Sequence, residues 1–168
     1  MPTDKDLFAL VERVALKLRA AGGRLVTAES CTGGWVAKAC TDLAGSSQWF
    51  ECGFVTYSNA AKMRELGVSA GTLAAHGAVS EATVCEMAAG ALRVSGADIA
   101  VAISGIAGPD GGTLAKPVGT VWFGLASRRG HDVGVSAEMH VFRGDRELIR
   151  RRSVERALGL VLELELAA

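Results

Sequence analysis

The sequence predicts an α/β protein, a three-layer α/β/α sandwich built around a mixed sheet. Three observations lead there. Helical and strand-like hydrophobic patterns alternate from the N-terminus to about residue 104. Two longer strand patterns joined by a short turn then follow, which reads as an antiparallel hairpin closing the sheet. The composition, 49% hydrophobic with 21 glycines, suits a tightly turned globular chain and not a disordered one. At 168 residues the chain is expected to form one domain around one core, spanning 1–168, with no internal repeat or linker.

Thr3 and Asp4 open a first helix whose apolar positions Leu7, Phe8, Leu10, Val11, Val14 and Leu18 follow helical spacing. Gly22-Gly23 ends it, and Arg24 to Thr27 forms a short strand. The turn Ala28-Glu29-Ser30-Cys31-Thr32-Gly33-Gly34 leads into a helix from Trp35 to Leu43, with Thr32 or Ser30 as candidate N-cap. Gly45-Ser46-Ser47 is a loop, and Phe50 to Tyr57 a second strand. Ser58-Asn59 starts a short helix through Lys62 and Leu66, Thr72 to His76 adds a helical turn, and Ser80 caps a helix over Glu81–Val94. Asp98 to Ser104 is a strand whose Ile99, Val101 and Ile103 alternate with small residues, as a strand covered on both faces permits. A Gly/Pro-rich loop covers 105–119. Thr120–Ser127 and Val133–Phe142 form the hairpin around 128–132, and Gly144-Asp145 opens a last helix to about Leu164.

Charge and composition exclude several function classes. Lys plus Arg equals Asp plus Glu at 18 each, so no basic excess draws the chain to nucleic acid or to anionic lipid. Charged residues interrupt every apolar stretch before membrane-spanning length, and the N-terminus lacks the basic and apolar regions of a signal peptide. Cys31, Cys40, Cys52 and Cys85 show neither CxxC pairing nor zinc-type spacing with histidine. They read as reduced thiols of a cytoplasmic protein, with no metal site. The apolar hairpin and the long last helix offer a face for a homo-oligomer, expected to be a dimer.

Three loops fall at the C-terminal ends of expected strands, the edge where open α/β sheets place their sites. They are Ser30–Gly34; Tyr57-Ser58-Asn59 with Lys62 one helical turn on; and Ser104-Gly105-Ile106-Ala107-Gly108-Pro109-Asp110-Gly111-Gly112, continuing to Lys116-Pro117-Val118-Gly119. A strand that turns sharply into a helix can hold a nucleophilic serine and offer backbone N–H donors to an oxyanion. Ser30 needs a base, yet His76, His131 and His140 all fall outside these loops, so a Ser–His–Asp triad fits poorly. Lys62 fits better, provided burial or a nearby positive charge lowers its pKa. A solvated helix lysine is the plain alternative. Cys31 is the other candidate nucleophile, though without a histidine partner a packing role suits it as well. Glu29 is either a group that orients Lys62 or binds a hydroxyl, or a buried turn acid. Tyr57 is either functional or an ordinary strand-end tyrosine. Arg143-Gly144-Asp145-Arg146 is either an anion site or a surface ion-pair cluster. The loop from Gly105 lacks the terminal Gly-Lys-Ser/Thr of a nucleoside-triphosphate loop.

Taken together, "TAESCTGG", "GSSQWFECGFVTYSNAAK", "HGAVSE", "GADIAVAISGIAGPDGG", "KPVGTVWFGLA" and "FRGDRELIRRRSV" resemble, in order, the CinA C-terminal domain family on its stand-alone nicotinamide-nucleotide amidohydrolase branch. The resemblance runs over roughly residues 5–160. It implies deamidation of nicotinamide mononucleotide to nicotinate mononucleotide and ammonia in pyridine-nucleotide salvage, by a serine amidohydrolase needing neither metal nor cofactor. By the same resemblance Ser30 is the nucleophile, Lys62 the general base and Tyr57 the motif tyrosine, expected on chemical grounds to be catalytic by relaying a proton toward the departing ammonia. Gly105 and Gly108 match a substrate-lining segment of the family; Glu29, Cys31, Thr32, Gly33, Gly34, Ser104 and Arg146 are expected with them in substrate binding, the phosphate being held by Arg146 or by amides at a helix N-terminus. The family loop commonly begins with Thr where this chain has Ser104, which keeps the hydroxyl. Larger members carry an N-terminal nucleotide-pyrophosphatase domain whose activity is not expected here. The competing expectations are a non-catalytic module that binds the nucleotide without releasing ammonia, and a protein-interaction domain, suggested only by the family's association with DNA uptake.

Overall fold

The structure is a computed structural model, described here for residues 1–130 and 132–165; His131 lies outside the described residues. Five strands form one mixed sheet in the order β2-β1-β3-β4-β5. β1 (Leu25–Glu29) lies between β2 (Phe50–Val55) and β3 (Ile99–Gly105), parallel to both. β4 (Thr120–Arg129) runs antiparallel to β3, and β5 (Asp132–Val141) antiparallel to β4. Arg129 pairs with Asp132, so the hairpin turn is tighter than the five residues the sequence suggests.

The side chains of β3 divide the core in two. Ile99, Val101 and Ile103 face one layer, made by α1 (Asp4–Ala21), α2 (Trp35–Asp42) and α6 (Arg146–Glu163). Ala100 and Ala102 face the other, where α5 (Glu81–Ser95) packs with α3 (Asn59–Leu66). The small residues on that side let helix backbone approach closely. A Cβ on Gly124 would sit 2.3 Å from the Val84 carbonyl oxygen, and one on Gly90 only 1.9 Å from that of Leu66. The expected three-layer α/β/α sandwich is therefore the observed fold.

Several boundaries differ from the sequence reading for local reasons. β1 continues to Glu29 with all five residues buried, because it is flanked by strands on both sides. β2 stops at Val55, leaving Thr56 and Tyr57 in the connection to α3. The expected helical turn at 72–76 is a helix, α4 (Ala70–His76), capped by the Ser69 hydroxyl. α6 turns its apolar side into the core through Ile149, Val154, Ala157, Leu158 and Val161, so it offers no free apolar face. On β5, Val133, Val135, Met139 and Val141 remain about half exposed. Among the described residues no helix is long and apolar enough to cross a membrane.

Candidate active site

Because β2, β1 and β3 are parallel neighbours, the segments following all three emerge at one edge of the sheet. Backbone bonds carry the ladder just past the strand ends: the Ser30 N–H donates to Ile103 O (2.9 Å) and the Thr56 N–H to Glu29 O (2.8 Å). Ser30 follows β1, Lys62 lies in the first turns of α3 after β2, and the glycine-rich loop follows β3. They enclose a cleft of about 300 Å³ lined by Ser30, Cys31, Tyr57, Lys62, Ala78, Val79, Ser104, Gly105, Gly108, Asp110 and Arg146, among others.

Lys62 is 1% exposed. Its Nζ lies 3.0 Å from Ser30 Oγ, 2.8 Å from Thr56 O and 3.3 Å from Tyr57 O. A protonated amine has three donors for these three oxygens. A neutral amine keeps two N–H bonds for the two carbonyls and turns its lone pair to the Ser30 hydroxyl, which then donates. Burial lowers the Lys62 pKa, while the neighbouring Cys31 opposes that shift. Cys31 itself is a poor nucleophile here, since burial pushes its thiol pKa up to about 12.

Glu29 does not reach the cleft. It is 0% exposed, and its carboxylate accepts four hydrogen bonds: from Thr32 Oγ1 (2.7 Å) and the N–H groups of Gly34 (3.0 Å), Val36 (3.1 Å) and Ala37 (2.8 Å). This acid in β1 caps α2, where Gly34 at the cap position has a left-handed φ of 92° and no side chain to do so. Neither Ser30 nor Thr32 is the N-cap, and Glu29 belongs under the site and not in it. Thr32, Gly33 and Gly34 likewise line a neighbouring cavity of about 570 Å³ between α1, α2 and α6.

That arrangement narrows the oxyanion donors that the turn Ser30–Gly34 can offer. The Gly33 N–H donates to Ser30 O, that of Gly34 to Glu29 and that of Trp35 to Thr32 O. The N–H groups of Cys31 and Thr32 have no acceptor among the described residues, and Thr32 is fully buried. Cys31 lines the cleft and Thr32 does not, which leaves the Cys31 N–H as the candidate donor of the turn.

The rim is held by longer side chains. Tyr57 is 61% exposed, and its hydroxyl accepts from Arg146 (3.3 Å), which also donates to Gly108 O (2.7 Å). The Tyr57 hydroxyl makes no hydrogen bond to Ser30 or Lys62, so the expected relay has no contact behind it. Ser104 Oγ donates to Ala78 O (2.7 Å) and fixes the cleft wall, as Lys116 does through His76 O and Val79 O. Among the described residues no group of three or more His, Cys, Asp or Glu is arranged to hold a metal ion. Sequence reasoning missed Arg150, which donates to Cys31 O (3.0 Å) and Thr32 O (2.9 Å). Its one signal was the four-residue spacing from Arg146 along α6.

The CinA C-terminal domain model matches residues 7–164. The chain belongs to the CinA C-terminal domain family. Among relatives, the nicotinamide-nucleotide amidohydrolase PncC of Escherichia coli K12 is 58% identical over 156 residues, covering 93% of each chain. The protein of the same name from Pseudomonas putida is 50% identical, covering 94% of this chain and 96% of its own. A CinA-like protein from Chloroherpeton thalassium is 51% identical, but the match takes in only 37% of its length. Crystal structures agree on the fold. A CinA superfamily protein from Klebsiella pneumoniae has a TM-score of 0.87 at 46% identity, covering 94% of this chain and 96% of that one. The competence/damage inducible protein CihA from Agrobacterium tumefaciens has a TM-score of 0.88 at 43% identity, covering 98% of both.

Proposed function

We propose that this CinA-family chain hydrolyses the carboxamide of nicotinamide mononucleotide, releasing nicotinate mononucleotide and ammonia, with Ser30 as nucleophile and Lys62 as general base. The observation that carries this reading is the buried Lys62 Nζ at 3.0 Å from Ser30 Oγ, with both its other contacts to main-chain carbonyls. The amidohydrolase names of the full-length relatives support the substrate.

The steps follow from these positions. Neutral Lys62 takes the Ser30 proton as Oγ bonds to the carboxamide carbon, and Cys31 N–H donates to the resulting oxyanion. The intermediate collapses as the C–N bond breaks, and Lys62 returns the proton so that nitrogen leaves as ammonia. Water, deprotonated by Lys62, then cleaves the Ser30 ester to give the carboxylate and restore the hydroxyl. The pyridinium cation beside Lys62 favours its neutral form. Arg146, exposed at the rim with donors to spare beyond Gly108 O and Tyr57, serves the phosphate. The chemistry asks for no metal.

The test is ammonia release from nicotinamide mononucleotide with EDTA present, for the wild type and Ser30→Ala. Release that disappears in the variant supports a metal-independent serine amidohydrolase. Saturable nucleotide binding without release makes the chain a binding module and refutes the catalytic reading.

A further inference from the structure

Arg150 stands on the far side of the nucleophile turn from the cleft, one helical turn beyond Arg146 on α6. It lines the neighbouring 570 Å³ cavity and stacks 5.3 Å from the Trp35 ring centroid. Its neighbour Arg151, also over Trp35, pairs with the carboxylates of Asp4 and Glu147. Arg150 makes no salt bridge to a carboxylate among the described residues. Its guanidinium instead bridges two successive main-chain carbonyls, Cys31 O and Thr32 O.

Such an arrangement has a mechanical consequence. The peptide bonds of the turn are trans, so each N–H points opposite to the carbonyl of the residue before it. With the Gly33 N–H holding Ser30 O and Arg150 holding the next two carbonyls, every carbonyl of residues 30–32 is fixed. Ser30 O shares its peptide unit with the Cys31 N–H, so Arg150 fixes the direction of that N–H through Thr32 O and the Gly33 N–H bonded to Ser30 O. A half-buried cation on the carbonyl side polarises the peptide that joins Thr32 to Gly33, and the Gly33 N–H passes that polarisation through Ser30 O to the Cys31 N–H, leaving it a stronger donor. A charge facing no carboxylate is unneutralised where negative charge develops in the reaction.

We propose that Arg150 is a positioning residue for the nucleophile turn. It aims and strengthens the Cys31 amide as oxyanion donor and fixes Ser30 against Lys62, without itself touching substrate. This rests on the serine reading above. Its loss is felt in the chemical step: removing a direct oxyanion donor costs about 10²–10³ in kcat, and disordering one through Arg150→Ala costs about 10–100-fold.

The experiment compares wild type, Arg150→Ala, Arg150→Lys and, as a packing control, Arg151→Ala. Two readouts are used: steady-state ammonia release, and the rate at which a fluorophosphonate labels Ser30. In the labelling, Oγ bonds to phosphorus, fluoride leaves and Lys62 takes the proton, so the readout does not depend on the nucleotide. Arg150→Ala is expected to lower kcat and the labelling rate in parallel, with KM within about twofold. Ethylguanidinium, entering through the cavity that Arg150 lines, restores part of both rates, while ethylammonium and Arg150→Lys restore less because neither spans two carbonyls. Arg151→Ala keeps both rates. A rise in KM with kcat kept, or a loss that tracks melting temperature and resists ethylguanidinium, overturns the proposal. Labelling at an unchanged rate in Arg150→Ala refutes Arg150 alone, whereas no labelling and no ammonia release in the wild type brings down the serine reading and this proposal with it.

Discussion

Replacing Glu29 by Gln isolates what one buried carboxylate does for the nucleophile turn. The change keeps the shape and removes acceptors. The carboxylate takes four hydrogen bonds, three of them from backbone N–H groups at the start of α2. The glutamine carbonyl accepts two of these, and its NH2 then faces donors. The Thr32 hydroxyl can rotate away, but at least one backbone N–H is left buried without a partner. An unmet buried donor costs about 1–3 kcal/mol, and the lost charge at the α2 N-terminus about 0.3–1 kcal/mol more. We therefore expect Glu29→Gln to destabilise the fold by about 2–3 kcal/mol, a sizeable share of the roughly 5–15 kcal/mol typical of domains. Urea unfolding followed by tryptophan fluorescence reads this directly, since Trp35 begins α2. With an m-value of about 1–3 kcal/mol/M, the midpoint falls by about 0.7–3 M at unchanged slope. A loss under about 0.5 kcal/mol, within the range of ordinary surface substitutions, would refute the capping role.

Four further predictions follow from the same geometry. Turnover should rise with pH as Lys62 loses its proton, reaching a plateau with an apparent pKa below the ordinary lysine value of 10.5 because burial disfavours the cation; a profile with no rising limb at any pH where the fold holds, or one that rises only around 10.5, overturns this. Stability should climb over the same window, from the lowered folded value up to 10.5, because there the unfolded chain holds a proton the folded one has released, and Lys62→Met should lose that slope in denaturation series. Gly90→Ala puts a Cβ 1.9 Å from Leu66 O, one turn beyond Lys62 on α3. We expect about 1–3 kcal/mol of destabilisation from this overpacking, together with a drop in kcat as α3 shifts; full kcat in a destabilised variant shows that α3 can yield without moving Nζ. Cys31→Ala should retain turnover within about threefold, since a thiol whose pKa is pushed up to about 12 is protonated at neutral pH; an inactive, folded variant transfers the nucleophile to Cys31.

The features legible in the sequence were those with local signatures. Strand ends followed by Ser/Gly turns located the three loops, and parallel β2, β1 and β3 brought Ser30 and Lys62 together across 32 residues. Of the two readings open for Glu29 the buried turn acid is the one observed, but its capping role was not legible, because capping rules look for Ser, Thr, Asp or Asn at the helix boundary. Here the cap comes from inside a strand, five residues before Gly34, and is recognised only by the direction of the α2 N–H groups. The sides taken by residues 30–34 were equally hidden. One turn feeds two cavities, with Ser30 and Cys31 facing one and Thr32, Gly33 and Gly34 the other. Arg150 looked like one more cation in an arginine-rich helix, since carbonyl partners leave no mark in a sequence.

The burial of Lys62 joins fold to chemistry. A lysine on a short, weakly apolar helix reads as solvated, yet α3 leaves β2 at an angle that puts Nζ between the carbonyls of Thr56 and Tyr57 and the hydroxyl of Ser30. Those carbonyls lie in the connection between β2 and α3, so the same short segment that ends the strand also builds the site of the amine. Two acceptors and one hydroxyl match a neutral amine as well as a protonated one, so the proton can leave and return with only the Ser30 hydroxyl reversing its bond. Burial supplies the bias toward the neutral form, and the ends of β1 and β2, paired directly through Thr56 N–H and Glu29 O, hold the geometry. A Lys62→Arg substitution tests that match: its guanidinium stays protonated and has no free lone pair, so even a correctly folded variant should fail at proton transfer.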